Sequence, residues 1–195
     1  MIPEPLPAGF YVRAAEAVAG DLLGRLLVSE VDGARCVVRI VEVEAYTGPR
    51  DPASHAAGWH RSPRNEAMYG AGGRAYVYFT YGMHWCFNVV TGRAGYPSAV
   101  LVRAGEPLEG LAYMRRRRGV ADDRLLASGP ARLAEALGIT RTLDGHPLDG
   151  PPLWLAAGRP VPASRRRRTV RVGISRARER RLRFLERDNP WVSRP

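Results

Sequence analysis

The sequence predicts a single, loop-rich α+β domain, and three observations carry that prediction. The chain has 195 residues, a length that fits one globular domain. Its apolar fraction of 45% includes 4 Trp, 8 Tyr and 4 Phe, enough to build a core, which excludes a disordered or collagen-like chain. Its 21 Gly and 16 Pro call for many turns and argue against a helical bundle.

The elements follow in order. Residues 1–9 read as a Pro-rich arm. Val12 to Leu27 carries apolar residues at helical spacing, interrupted at Gly20-Asp21, so one or two short helices are expected. Two β-prone runs, Arg25 to Val31 and Ala34 to Ala45, flank Asp32-Gly33, a strong hairpin signal. In the second run Cys36, Val38, Ile40, Glu42 and Glu44 alternate onto one face. Val37, Arg39, Val41 and Val43 take the other. Apolar residues on both faces predict a covered central strand, with Glu42 and Glu44 where it opens into a cleft.

Residues 46–73 show little periodicity. A loop that long inside a domain is usually functional or disordered. Two histidines (His55, His60), three aromatics (Tyr46, Trp59, Tyr69) and three arginines (Arg50, Arg61, Arg64) favour function. Strands are expected over Ala75–Tyr81, Trp85–Val90 and Ala99–Arg103. Glu106-Pro107 is expected to open a helix through Arg118, with acid and Pro in its first turn. Ser128-Gly-Pro130 should open another, ending near Leu137 at Gly138. The remainder reads as loop-rich, with short strands near Leu153, Val170 and Leu182.

The 30 basic residues against 19 acidic ones give 30 − 19 = +11, and all 30 are arginine. Without lysine there is no ε-amine for a Schiff base and no P-loop. The charge fits either a solvated basic surface or a polyanion partner such as nucleic acid. Two arginine runs stand out: Arg115–Arg118 at a helix end, and Arg165–Arg168 in a loop before a strand. Both readings, solubility and phosphate contact, stay open for each. Cys36 and Cys86 lack CxxC spacing and read as reduced, buried thiols. His55, His60, His84, His146 and Cys86 show no metal-ligand spacing, so no metal and no cofactor are expected. No apolar run is long enough for a membrane span, and the N-terminus lacks a signal pattern, so a cytoplasmic location is the default.

Glu42 and Glu44 could be structural acids paired with arginine. A carboxylate beside Tyr46 at a cleft mouth is also what base-flipping chemistry would use, to activate water near flat π faces. Tyr76 and Tyr78 share a face, where a tyrosine stripe serves as core more often than as a stacking platform. Tyr81, before Gly82, could project at a turn.

Several blocks, in order, resemble the alkyladenine (3-methyladenine) DNA glycosylase family. They are Val41-Glu-Val-Glu-Ala-Tyr-Thr-Gly-Pro49 with Asp51 and His55; Arg64-Asn65 and Met68-Tyr69; Tyr76-Val-Tyr-Phe-Thr-Tyr-Gly-Met83; Cys86-Phe-Asn88; and Ala99 to Arg103 with Glu106-Pro-Leu-Glu-Gly110. Ser128-Gly-Pro130, Arg183-Phe184 and Pro190-Trp-Val-Ser193 follow. The resemblance spans about residues 8–193. It implies one compact mixed domain around a curved, mainly antiparallel sheet with flanking helices. It implies a monomer that acts on double-stranded DNA carrying a damaged purine, with no obligate protein partner. Glu44 would deprotonate a water aimed at C1′, and Arg103 would help hold that water or a phosphate. Tyr46 and His55 on one side and Tyr78 on the other would hold the purine. Asn88 would disfavour the guanine 2-amino group, and Tyr81 would fill the gap left in the duplex. Arg64, Met68 and Arg132 would contact DNA. Arg50 stands where the family commonly has an acid, and Arg132 where lysine is expected. A non-catalytic damage sensor on the same fold and an RNA-directed protein are the alternatives.

Overall fold

The Asp32-Gly33 hairpin organises the sheet. Strand β1 (Leu26–Val31) pairs with β2 (Ala34–Tyr46) from Leu26↔Arg39 to Val31↔Ala34. The two turn residues have φ of 55° and 69°, the left-handed pair that a two-residue hairpin needs. This computed structural model describes residues 4–194. Met1, Ile2 and Pro3 of the predicted arm lie outside the described residues. The rest of the arm is docked: Leu6 N–H donates to Leu155 O at 2.8 Å and Leu6 is buried.

The remaining strands are β3 (Ala75–Thr80), β4 (His84–Thr91), β5 (Ser98–Glu109), β6 (Asp149–Gly150), β7 (Leu153–Ala156), β8 (Arg166–Thr169) and β9 (Arg183–Glu186). They form one sheet in the order β3-β4-β5-β2-β1-β7-β6, with β9 joining β2 and β8 joining β9. Every pairing among them is antiparallel, and the sheet curls into a half-barrel. Strand β2 is its centre. Strand β5 runs along one edge, while β1 and then β9, at Glu42–Glu44, share the other.

Three helices, α1 (Ala15–Leu22), α2 (Leu111–Arg118) and α3 (Pro130–Ala136), complete the fold. Helix α1 runs through Gly20-Asp21 without a break, burying Ala15, Val18, Ala19 and Leu22 on one face. Helix α3 starts on Pro130 and is followed by Gly138 at φ 68°, as the sequence predicts.

Several expectations are corrected. No helix opens at Glu106-Pro107, because β5 continues to Glu109. Pro107 lies opposite Val38 beside a register shift, beyond Leu101 where the β4 pairing stops, so its missing N–H breaks no ladder on that edge. Helix α2 starts only after Gly110. The arginines 166–168 lie in β8 itself, not in a loop before it.

The most consequential correction lies in β2. The main core takes Cys36, Val38 and Ile40 but then Val43 and Ala45. Register shifts at Ile40/Glu42 and Glu42/Val43 mark a bulge there, and an extra residue reverses which face each later side chain takes. Glu42, Glu44 and Tyr46 therefore leave the face of Ile40 and stand opposite the main core.

Candidate active site

The face of the sheet away from the main core carries Tyr46 of β2, Tyr76, Tyr78 and Thr80 of β3, Cys86 and Asn88 of β4, and Ala99, Leu101 and Arg103 of β5. These residues line a cavity of about 700 Å³. Their neighbours in sequence, Val77, Phe87, Val89, Val100 and Val102, fill the main core, so period-two alternation alone sorts core from cavity. The segment after β2 forms one wall through Ser54, His55 and His60. Val172 to Arg176 form another, and Tyr81 stands at the mouth.

Glu44 is fully buried and reaches the cavity only through its neighbours. Its carboxylate accepts from Val172 N–H at 2.7 Å and from Tyr46 Oη at 3.0 Å, and Arg103 Nη1 is 3.3 Å away. Burial pushes its proton affinity above the ordinary carboxylate value; the positive charge of Arg103 and these two hydrogen bonds offset part of that. Burial, with Glu44 alongside, pushes the Tyr46 hydroxyl up, so it remains a donor. Glu42 is buried too but is saturated. It accepts from Arg103 Nε at 2.9 Å, Arg183 Nε at 2.7 Å, Ser193 N–H at 2.6 Å and Ser193 Oγ at 2.9 Å. Arg103 thus bridges both acids while lining the cavity.

His55 and Tyr78 stand together, ring centroids 4.6 Å apart and edge to face. The structure thus groups His55 with Tyr78 rather than with Tyr46. His55 Nδ1 is 2.7 Å from Tyr76 Oη. Although the residue keeps exposed surface, desolvation of its packed ring, and secondarily the charge of Arg64, holds its pKa below the usual histidine value, which favours the neutral ring. Asn88 is buried and donates through Nδ2 to Tyr76 O at 3.0 Å, presenting its amide at the cavity surface. Tyr81 is 83% exposed with φ 51°, a strained setting for a non-glycine residue.

The three expected DNA contacts differ. Arg64 is exposed, donates to Phe79 O at 3.0 Å and lies over the Tyr78 ring. Arg132 is exposed and donates to Ser128 Oγ at 3.1 Å. Met68 is not on the surface. It is 2% exposed, packed in a second small core with Ala56, Tyr76, Val90 and Ala99, and serves as cavity wall. Its apolar side chain and the burial of its neighbours draw it inward.

Comparison with known proteins decides the family. Residues 9–190 match the family described as methylpurine-DNA glycosylase. The chain belongs to that family. Relatives named "Putative 3-methyladenine DNA glycosylase" align over nearly all of it. The protein from Carboxydothermus hydrogenoformans is 45% identical over 97% of this chain and 98% of its own length. That from Rhodopseudomonas palustris is 48% identical over 97% and 91%. That from Streptomyces avermitilis is 49% identical over 88% and 82%.

Within this glycosylase fold Arg171, Val172, Arg176 and Arg194 escaped the sequence reading of the site. Arg171 lies with its Cζ 4.7 Å from the Tyr46 ring centroid, and Val172 supplies the N–H to Glu44. The one local signal was a charge set between two valines, Val170-Arg171-Val172. Among the described residues no group of three or more potential metal ligands occurs. No helix among them is long and apolar enough to cross a membrane.

Proposed function

We propose that the chain is a DNA glycosylase that draws an alkylated or deaminated purine out of duplex DNA and hydrolyses its N-glycosidic bond. The observation that carries this reading is a single cavity walled by Tyr46, Tyr78 and His55, with the buried carboxylate of Glu44 directly behind Tyr46 and Arg103. Burial makes Glu44 a stronger base than an exposed carboxylate, while its three donors favour the ionised form. Glu44 is the final acceptor of the proton that water loses as its oxygen attacks C1′, received through the neighbours that part it from the cavity. The C1′–N bond breaks, and the purine leaves with the bonding pair. A purine alkylated at N3 or N7 is already cationic, so its bond is weak and its departure leaves it neutral; a deaminated purine leaves as an anion and takes a proton from water. No lysine is present to form a Schiff base, so the product is an abasic site with the strand intact.

Tyr46 is assigned to one face of the purine, and His55 with Tyr78 to the other. A neutral His55 accepts a cationic base beside it without repulsion. The Asn88 amide meets the edge where guanine carries its 2-amino group, and Tyr81 occupies the place of the extruded nucleotide. Extrusion costs a few kcal/mol of stacking and pairing, least for a damaged base. The relatives' names make 3-methyladenine the first lesion to try. The test is base release from a duplex with one modified purine, with RNA as control. Glu44→Gln should still bind that duplex and lose excision by a factor on the order of 10²–10⁴. Undiminished release by Glu44→Gln, or equal release from RNA, would overturn the reading.

A further inference from the structure

We infer that the buried Asp51–Arg171 ion pair is the positioning device of this site, clamping the 171–172 segment across the end of β2 so that one guanidinium backs Tyr46 and the next N–H reaches Glu44. The inference rests on the glycosylase reading of the cavity. Neither residue lines the cavity, so both act through others.

The ion pair is enclosed by protein, and of the guanidinium nitrogens only Nε lacks a hydrogen-bond partner among the described residues. Both side chains have 0% exposure. Arg171 Nη1 donates to Asp51 Oδ2 at 2.5 Å and Nη2 to Oδ1 at 2.8 Å, a two-pronged pair. Nη1 also donates to Ala45 O at 3.0 Å, the backbone between Glu44 and Tyr46. The guanidinium lies over the Tyr46 ring, whose hydroxyl donates to Glu44. Asp51 further accepts from Thr47 N–H at 3.3 Å and Ala53 N–H at 3.2 Å, which fixes the loop leading to His55. Burial opposes the Asp51 charge, but the Arg171 contacts outweigh it and hold its pKa below the ordinary value. One pair therefore sets the Tyr46 ring, the Val172 amide and the start of the His55 wall.

A buried ion pair is an inefficient way to gain stability, since apolar side chains of equal volume often do as well or better. It does fix geometry, and only a planar, forked cation both grips a carboxylate and stacks on a ring. A lysine in its place keeps the charge and loses the fork and the stacking.

The groups facing Glu44 set what happens when the clamp loosens. They are Glu42 and Tyr46 from β2, Arg103 from β5, and Val172 N–H with Arg171 from the clamped segment. Arg183 of β9 is held on Glu42. The Val172 N–H favours ionised Glu44. Withdrawing it makes Glu44 harder to ionise, so the acid limb of the rate must move to higher pH.

The experiment is single-turnover base release against pH, for wild type, Arg171→Lys and Asp51→Asn, on a duplex with one modified purine. Both variants should bind the duplex and slow by a factor on the order of 10², the cost of a small misplacement. Their acid limbs should lie above that of wild type. Folded variants with wild-type rate and acid limb would overturn the clamp, whatever their Tm. A wild type that releases no base refutes the glycosylase reading instead. In that case, or if neither variant folds, amide exchange in the wild type decides. Val172 N–H should exchange as slowly as the amides of β2; exchange at the rate of an open loop would overturn the inference.

Discussion

Glu42 and Glu44 carry the same carboxylate into different surroundings, and the difference is measurable. Glu42 is met by two arginines and Ser193, so its loss strands buried cations. Breaking a buried pair by removing one partner costs about 3–5 kcal/mol. The family resemblance implies that Glu42→Gln loses much less excision than Glu44→Gln; the structure adds a cost in stability. Denaturant unfolding should show the large loss for Glu42→Gln. Release per folded molecule should fall further for Glu44→Gln. Equal rate losses in folded protein would mean the base is misassigned. Tyr81 and Asn88 should fail differently again. Tyr81→Ala should weaken capture of well-paired lesions more than of mismatched ones, because mismatches are cheaper to open. Asn88→Ser should leave flipping intact and raise release of guanine from ordinary pairs. A panel of paired lesion, mismatched lesion and undamaged G·C duplex separates the two. Uniform slowing by Tyr81→Ala, or no gain on guanine for Asn88→Ser, contradicts the division of labour. Most of these residues were readable in the sequence because they lie in short blocks. Arg171 was not, since its partner Asp51 is 120 positions away and one arginine among 30 carries no local mark.

At the scale of elements, the hairpins and helix ends were readable wherever a turn residue fixes them, as at Asp32-Gly33 and Gly138. What failed was register and handover. The bulge in β2 has no sequence signature, yet it reverses which face Glu42 and Glu44 occupy. The pairing of β9 with β2 joins residues about 140 apart, beyond any local pattern. At the β5–α2 junction, acid and Pro resemble a helix start, but Gly110 holds the true boundary. Its φ is 79°, and an added Cβ would lie 2.3 Å from Arg35 O of β2. Backbone cannot retreat there without breaking the β2–β5 pairing. Gly110→Ala should therefore cost at least the 1–3 kcal/mol of a strained conformation. Thermal unfolding measures this, while release per folded molecule should stay near wild type because α2 does not line the cavity. An unchanged Tm would show that the junction relaxes freely.

For the whole molecule, the +11 charge need not act evenly over the surface. The Arg115–Arg118 run is largely spent inside the protein. Arg115 meets Asp123 at 2.8 Å, Arg117 meets Asp32 at 3.9 Å, Arg118 meets Glu135, and Arg116 lies over the Tyr113 ring. In the second run Arg165 meets Glu186 and Arg166 meets Asp21, both at 3.5 Å, which leaves Arg167 and Arg168 exposed without an acidic partner among the described residues, Arg168 lying over the Phe184 ring. Arg176 and Arg194 are exposed, have no acidic partner among the described residues and stand at the cavity itself. A cation already neutralised by a carboxylate releases few counterions from DNA, whereas a free one at the mouth releases nearly a full ion. Log affinity for a lesion duplex should thus fall steeply with log salt, by roughly 0.9 per phosphate contacted. Arg176→Ala and Arg194→Ala should each reduce that slope by about 0.9 and weaken damaged and undamaged duplexes alike. Arg115→Ala should leave the slope unchanged, because Arg115 is paired with Asp123. Binding isotherms between low and physiological salt measure all three. A flat wild-type dependence would remove the phosphate-tracking surface, and a slope that falls only with the Arg115 variant would move that surface to α2.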